Sequence, residues 1–142
     1  MPCQFQQGIT KVNYMKTLNC YMQDAQTELF NRLGVFFAFS NAQIEEQRKP
    51  GVEYTTVGAG MIVPKDNAKE VVESLEAIYK TAIAEDLAEN GINAIIDREL
   101  QNYECYYTHE IDDCADALED YGIVRDQVWF VYNRERHNHT NY

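Results

Sequence analysis

A run of apolar residues at helical spacing between residues 68 and 90 constrains the fold more than any other feature of the sequence. Intervals of four and three place its members on one face of a helix: Val71, Leu75, Ile78 and Ala82. Asp66 or Asn67 precedes the run as a cap, and Asn90-Gly91 follows it as a stop signal. The sequence therefore predicts a long amphipathic helix with one buried face. Six carboxylates are expected on its outer face: Glu70, Glu73, Glu76, Glu85, Asp86 and Glu89.

The remaining pattern combines short strands with further helices. A second amphipathic helix is predicted from residue 17 to residue 33. Runs of β-branched and aromatic residues at 35–40 and 52–63 predict buried strands, and residues 8–14 suggest an edge strand. Two short helices joined near Gly122 predict a C-terminal helical hairpin. We therefore predict an α+β fold, with a small sheet of two or three short strands packed against several amphipathic helices.

The length of 142 residues is sufficient for one core, so we predict a single globular domain over residues 1–142, with a frayed polar tail from about residue 134. No apolar run reaches the roughly 18 residues of a membrane span, and the N-terminus lacks the pattern of a secretion signal. These features predict a cytoplasmic protein. The four cysteines form no C-x-x-C pair and are expected to be free thiols.

The negative charge is concentrated in one part of the chain. The whole chain carries a formal charge of −11, yet residues 70–126 contain sixteen Asp and Glu against three Lys and Arg, a net of −13. Such a surface repels nucleic acid and anionic membranes, because both are negatively charged. The clustering instead favours a basic protein as the partner.

The densest carboxylates mark a candidate binding surface that resembles a nucleic-acid backbone. Carboxylates three or four residues apart on a helix repeat about every 5 Å, while duplex DNA carries one charge per roughly 1.7 Å of axis. Two acidic rows could therefore approximate two rows of phosphates, although acidic helix faces are also common as solvated surface. The predicted partner-binding carboxylates are Glu110, Asp112, Asp113, Asp116, Glu119 and Asp120 in one row, and Glu70 and Glu73 in the other. Tyr106 and Tyr107 would add flat contact area.

Enzymatic alternatives have weaker patterns. Mg²⁺ and Ca²⁺ prefer carboxylate ligands, but the spacing of a calcium-binding loop is absent. Cys105 precedes His109 by four residues, which suits a Cys–His pair, yet no third orienting group is evident. We therefore assign no catalytic, cofactor-binding or metal-binding residue. A small metal- or thiol-dependent enzyme acting on a nucleotide or nucleic acid stays the alternative, followed by a scaffold that binds a host protein through an apolar surface.

The segments FFAFS, GAGMIVPKDN, NYECYYT and ALEDYGI resemble a family of small phage and prophage accessory proteins, over about residues 35–132. The resemblance implies a phage or mobile-element origin and a bacterial cytoplasmic setting. Small acidic proteins of this kind are often inhibitors of host defence, including anti-CRISPR and anti-restriction proteins. We therefore predict a stoichiometric inhibitor, monomeric or homodimeric, whose carboxylates occupy the basic groove of a bacterial nucleic-acid-binding defence effector.

Overall fold

The structure, a computed structural model, describes residues 15–139. Helices alternate with a small sheet in the order α1 Leu18–Leu33, β1 Phe36–Phe37, α2 Asn41–Gln47, β2 Tyr54–Val57, β3 Met61–Pro64, α3 Ala68–Asn90, α4 Ile92–Asn102, α5 Cys105–Thr108, α6 Asp112–Ala117 and α7 Arg125–Glu135. Short 3-10 turns cover Lys65–Asn67, Glu119–Tyr121 and Arg136–His139. The predicted α+β class is confirmed. The suggested edge strand at residues 8–14 lies outside the described residues.

Contacts divide the chain into two compact units, one up to Ala82 and one from Ile83, so that the boundary falls within α3. The single-domain organisation stays a prediction. Within residues 15–139, no helix combines the length and apolar character needed to cross a membrane.

The first unit is built on α1, which ends where the sequence predicted. Gly34 adopts φ +72° directly after Leu33, a conformation that favours glycine, and its N–H bonds the carbonyl of Phe30. The predicted cap residue Asn67 lies directly before α3, and its side-chain amide donates to the carbonyl of Leu33 at 2.9 Å. Leu29 and Leu33 are buried in a core cluster with Val63 and Val71.

The sheet corrects the prediction of one continuous strand over residues 52–63. The segment forms a hairpin, in which β2 and β3 pair antiparallel and residues 58–60 make the turn. Gly58 and Gly60 adopt φ +67° and +77°, which a strand does not accommodate but a tight turn requires. The ring of Phe39 also lies against Gly60, where a Cβ would come within 2.4 Å of it. The strand order is β1-β3-β2.

The second unit consists of helices packed around fully buried aliphatic side chains. Ile95, Ile96 and Leu100 of α4 are buried, as are Val128 and Val131 of α7. The predicted hairpin is present as α6, the turn at Glu119–Tyr121 and α7. Residues 136–139 continue as a 3-10 turn, whereas the composition favoured a frayed tail from about residue 134.

The segment NYECYYT contains the four-residue helix α5. Glu104 and His109 flank it with φ +55° and +66°, the two non-glycine residues with positive φ among residues 15–139. A side chain in this conformation costs about 1–2 kcal/mol, because its Cβ crowds the backbone. The backbone at both ends of α5 is therefore strained.

Replacing Glu104 with glycine should relieve this strain. We expect Glu104→Gly to raise the free energy of unfolding by about 0.5–1 kcal/mol, after allowing for the entropy that glycine loses on folding. Urea denaturation followed by circular dichroism measures the change. Glu110→Gly is the control: Glu110 is also exposed but has no positive φ, so glycine there should lower stability. Equal losses of stability in both variants would contradict backbone strain at Glu104.

Candidate protein-binding surface

A buried ionic cluster holds together the elements on which the acidic residues are placed. The Asp86 side chain is fully buried and accepts two hydrogen bonds from Arg98, at 2.9 Å each. It also accepts from the Tyr121 hydroxyl at 2.5 Å and from the Asn90 amide at 2.7 Å. Asp86 was predicted on the outer face of the long helix, and that placement is wrong. It instead connects α3 to α4 and to the turn at Glu119–Tyr121.

The protonation states of this cluster follow from its contacts. Burial alone would raise the pKa of Asp86, but hydrogen bonds from Arg98, Tyr121 and Asn90 outweigh it, so the pKa lies below its ordinary value. The pKa of Tyr121 is raised by burial and by its hydrogen bond to Asp86. Asp86 is therefore an anion and Tyr121 a neutral donor at neutral pH. The buried polar side chains of this ionic cluster all have hydrogen-bond partners, as expected for a structural role.

The elements that the ionic cluster connects carry a strongly acidic surface. We call residues 104–126 the acidic segment. It contains eight carboxylates and one cation, Arg125, and all nine are exposed. Arg125 pairs with Asp112 at 2.6 Å, and both side chains are more than half exposed. The segment therefore presents a net charge of −7 to solvent.

Apolar residues of the same segment explain why its carboxylates point outward. Ile111, Cys114 and Leu118 recur at intervals of three and four and are at most 3% exposed, and Ile123 after the turn is also buried. Anchoring one side of a short helical segment turns the intervening residues toward solvent. The six predicted carboxylates between residues 110 and 120 are all exposed as a result: Glu110, Asp112, Asp113, Asp116, Glu119 and Asp120.

The predicted second row lies in the other unit. Glu70 and Glu73 are exposed on α3 within the first unit, and Glu70 pairs with Arg32 at 3.0 Å. The described structure thus groups the six carboxylates of residues 110–120 in one unit and Glu70 and Glu73 in the other.

The two predicted contact tyrosines have opposite environments. Tyr107 is 61% exposed to solvent. Tyr106 is 4% exposed, and its hydroxyl donates to the Asp97 carboxylate at 2.7 Å. The placement of Tyr106 on a contact surface is therefore wrong, since its ring is part of the core of the second unit.

Tyr106 belongs to a column of four stacked rings. His139 lies 4.2 Å from Tyr106, Tyr106 lies 5.5 Å from Tyr132, and Tyr132 lies 5.4 Å from Trp129, measured between ring centroids. Interplanar angles of 10–18° make every step a stacked contact. Within the described residues, the column ends at Trp129, which is 49% exposed.

Sequence reasoning missed the exposed aromatic residues of α7. Val128, Val131 and Tyr132 are buried, so Phe130 projects from the other side of the helix, while Trp129 lies at the flank and stacks on Tyr132. The spacing of the buried residues contained this signal, because residues 128, 131 and 132 define one narrow face.

The thiols and histidines do not form a reactive centre in the described structure. Cys105 and Cys114 are free and buried, as expected, and burial raises the pKa of both, that of Cys114 to about 12. His109 places Nδ1 3.0 Å from the Tyr132 hydroxyl. Cys20 is disulfide-bonded, so the prediction of a free thiol is wrong there. Within residues 15–139, no three His, Cys, Asp or Glu side chains converge as metal ligands.

The chain matches a known protein family over most of its length. Residues 18–135 match a family of unknown function (DUF7659), and this range includes helices α1 to α7. No curated protein and no solved structure matches the chain.

Proposed function

The chain belongs to the DUF7659 family, and we propose that it is a stoichiometric inhibitor that binds a basic protein through the acidic segment. The observation that supports this is the exposure of eight carboxylates beside one cation within residues 104–126. We further propose that the partner is a nucleic-acid-binding effector of bacterial defence, of the CRISPR or restriction type. The inhibitor would occupy the groove that normally receives phosphates.

The charge pattern explains the choice of partner. A net charge of −7 on one exposed stretch attracts Lys and Arg side chains and accelerates encounter with a basic groove. Asp113, Asp116 and Asp120 follow one another at three and four residues, which spaces their charges by roughly 5 Å where the segment is helical. Direct binding to nucleic acid is disfavoured by the same charge.

Other features are consistent with binding rather than turnover. The exposed ring of Tyr107 lies within the acidic segment and offers the flat, amphipathic contact that protein interfaces favour. A thiol-dependent enzyme has less support, because burial raises the pKa of Cys105 and a thiolate is the reactive form. The resemblance to phage accessory proteins supports a setting in the bacterial cytoplasm.

Reversing charge on the acidic segment should weaken capture of the partner. We expect the double variant Asp113→Lys with Asp116→Lys to bind at least about tenfold more weakly, because four units of charge change at the interface. The chain is immobilised and exposed to nuclease-treated lysate of bacteria that carry defence systems. Captured proteins are identified by mass spectrometry, and their Kd is then measured with purified effector.

The control applies the same charge change elsewhere. Asp24→Lys with Glu28→Lys alters two exposed carboxylates on α1, outside the acidic segment, and should leave binding intact. Raising salt from 0.1 M to 1 M shortens the Debye length from about 10 Å to about 3 Å, so capture should weaken. Equal loss in both double variants, or capture that is indifferent to salt, would contradict the proposal.

A further inference from the structure

Two large aromatic side chains of α7 are exposed in the second unit, Phe130 on the outer face of the helix and Trp129 at its flank beside Tyr132. Trp129 is 49% exposed and Phe130 is 62% exposed, while Val128, Val131 and Tyr132 face the core. Adjacent exposed aromatic residues on a rigid helix are unusual on a surface that contacts only water, and they are enriched at protein interfaces.

Charges of opposite sign flank these aromatic residues on the same face. Asp126 lies four residues before Phe130 and Arg134 lies four residues after it, so the three side chains follow one stripe of the helix. Both charged residues are exposed, and the Arg134 guanidinium lies 5.7 Å from the centre of the Phe130 ring. Arg134 bonds Glu135 through Nε, at 2.9 Å. The stripe thus reads acidic, aromatic, basic along the helix.

We propose that this face binds a second copy of the chain, with the two α7 helices antiparallel and a two-fold axis near Phe130. Antiparallel pairing places Asp126 of each copy opposite Arg134 of the other and brings the two Phe130 rings together. A parallel arrangement would place like charges opposite each other. The charge order therefore selects a symmetric, self-complementary dimer.

The length of α7 and the net charge of the chain determine how strongly the two copies associate. An eleven-residue helix is about 16 Å long, so the interface is at the small end of specific contacts. The overall charge of −11 on each chain opposes association, whereas Asp126 and Arg134 balance locally. We expect dimerisation that increases with concentration and with moderate screening of the net charge. The dimer interface is a different surface from the partner-binding carboxylates of the acidic segment. Only Asp126 belongs to both.

Charge exchange across the axis tests the dimer. We expect D126R and R134D each to weaken dimerisation at least about tenfold, because each places like charges opposite one another. An equimolar mixture of the two variants should recover the dimer, as should the double variant D126R/R134D. Sedimentation velocity over a range of concentrations gives the association state. Trp129 is the single tryptophan of the chain, so its fluorescence should shift to shorter wavelength as the dimer forms.

Two controls separate the interface from folding and from net charge. E119R makes the same charge change at an exposed residue outside α7 and should leave the dimer unchanged, while F130A should weaken it without a change in circular dichroism. A wild-type chain that stays monomeric at every concentration, or a mixture of D126R and R134D that fails to associate, would overturn the proposal. Since partner capture is tested with Asp113 and Asp116, either proposal can fail alone.

Discussion

Arg98→Met is expected to lower the free energy of unfolding by about 3–5 kcal/mol, because it leaves the Asp86 carboxylate buried without its cation. Asp86 has no exposed surface, and Arg98 supplies two of its four side-chain hydrogen bonds. Methionine replaces much of the apolar stem of arginine, so the loss reports the missing charge rather than a cavity. Urea denaturation measures it as a shift of the midpoint at similar slope.

Lys80→Met is the matched control on α3. Lys80 pairs with Glu76 at 3.3 Å, but both side chains are more than 60% exposed. Exposed ion pairs contribute about 0–1 kcal/mol, so this variant should remain close to wild type. Losses of similar size in both variants would show that burial of Asp86 has no energetic consequence.

The pH dependence should distinguish the two chains further. In the wild type the pKa of Asp86 is lowered, so its stabilisation is present above the unfolded pKa of about 3.9 and is lost only as pH falls through the lower folded value. Without Arg98, burial dominates and raises the pKa of Asp86, so the variant gains stability by taking up a proton as pH falls. We therefore expect the difference in the free energy of unfolding between Arg98→Met and wild type to become smaller from pH 7 to pH 5. A constant gap would contradict an uncompensated charge.

For Asp86, the helical periodicity of the sequence predicted burial correctly, whereas the charged residue type did not. The stripe Val71, Leu75, Ile78 and Ala82 continues at the next interval of four to residue 86, which is a buried position. Its carboxylate suggested solvent, because charged residues are rarely buried without a partner. That partner was visible as Arg98, one of the three cations in residues 70–126. The pairing itself depended on how α3 and α4 fold together, which local pattern does not contain.

Turn geometry limited the sequence prediction in a different way. Gly58 and Gly60 permit either a G1 bulge within a strand or a hairpin turn, and both of these conformations use glycine with positive φ. The choice is made by pairing of β2 with β3 and by the Phe39 ring over Gly60. At α5, Glu104 and His109 adopt a conformation that their side chains disfavour, so no propensity indicates it. The carboxylates of residues 110–120 were predictable as exposed, because Ile111, Cys114 and Leu118 anchor the opposite side.

Tyr106→Ala is expected to cost about 3–5 kcal/mol of stability, as for other large buried rings. Tyr106 is 4% exposed and stacks between His139 and Tyr132, so its removal opens a cavity and separates the ring column. Adjacent Tyr107 is 61% exposed, and Tyr107→Ala should change stability by no more than about 0.5 kcal/mol. Thermal and urea denaturation of the two variants make this comparison directly.

In binding measurements, by contrast, substitution of Tyr107 should have the larger effect and substitution of Tyr106 the smaller one. Tyr107→Ala keeps the fold and should weaken capture of the partner, because it removes exposed contact area within the acidic segment. Tyr106→Phe should cost only about 1 kcal/mol, since the ring stays and one hydrogen bond to Asp97 is lost, and it should leave capture intact. If Tyr107→Ala binds as well as wild type, the interface is limited to the carboxylates. If Tyr106→Phe loses capture at full stability, the hydroxyl of Tyr106 must reach the partner, and its assignment to the core would fail.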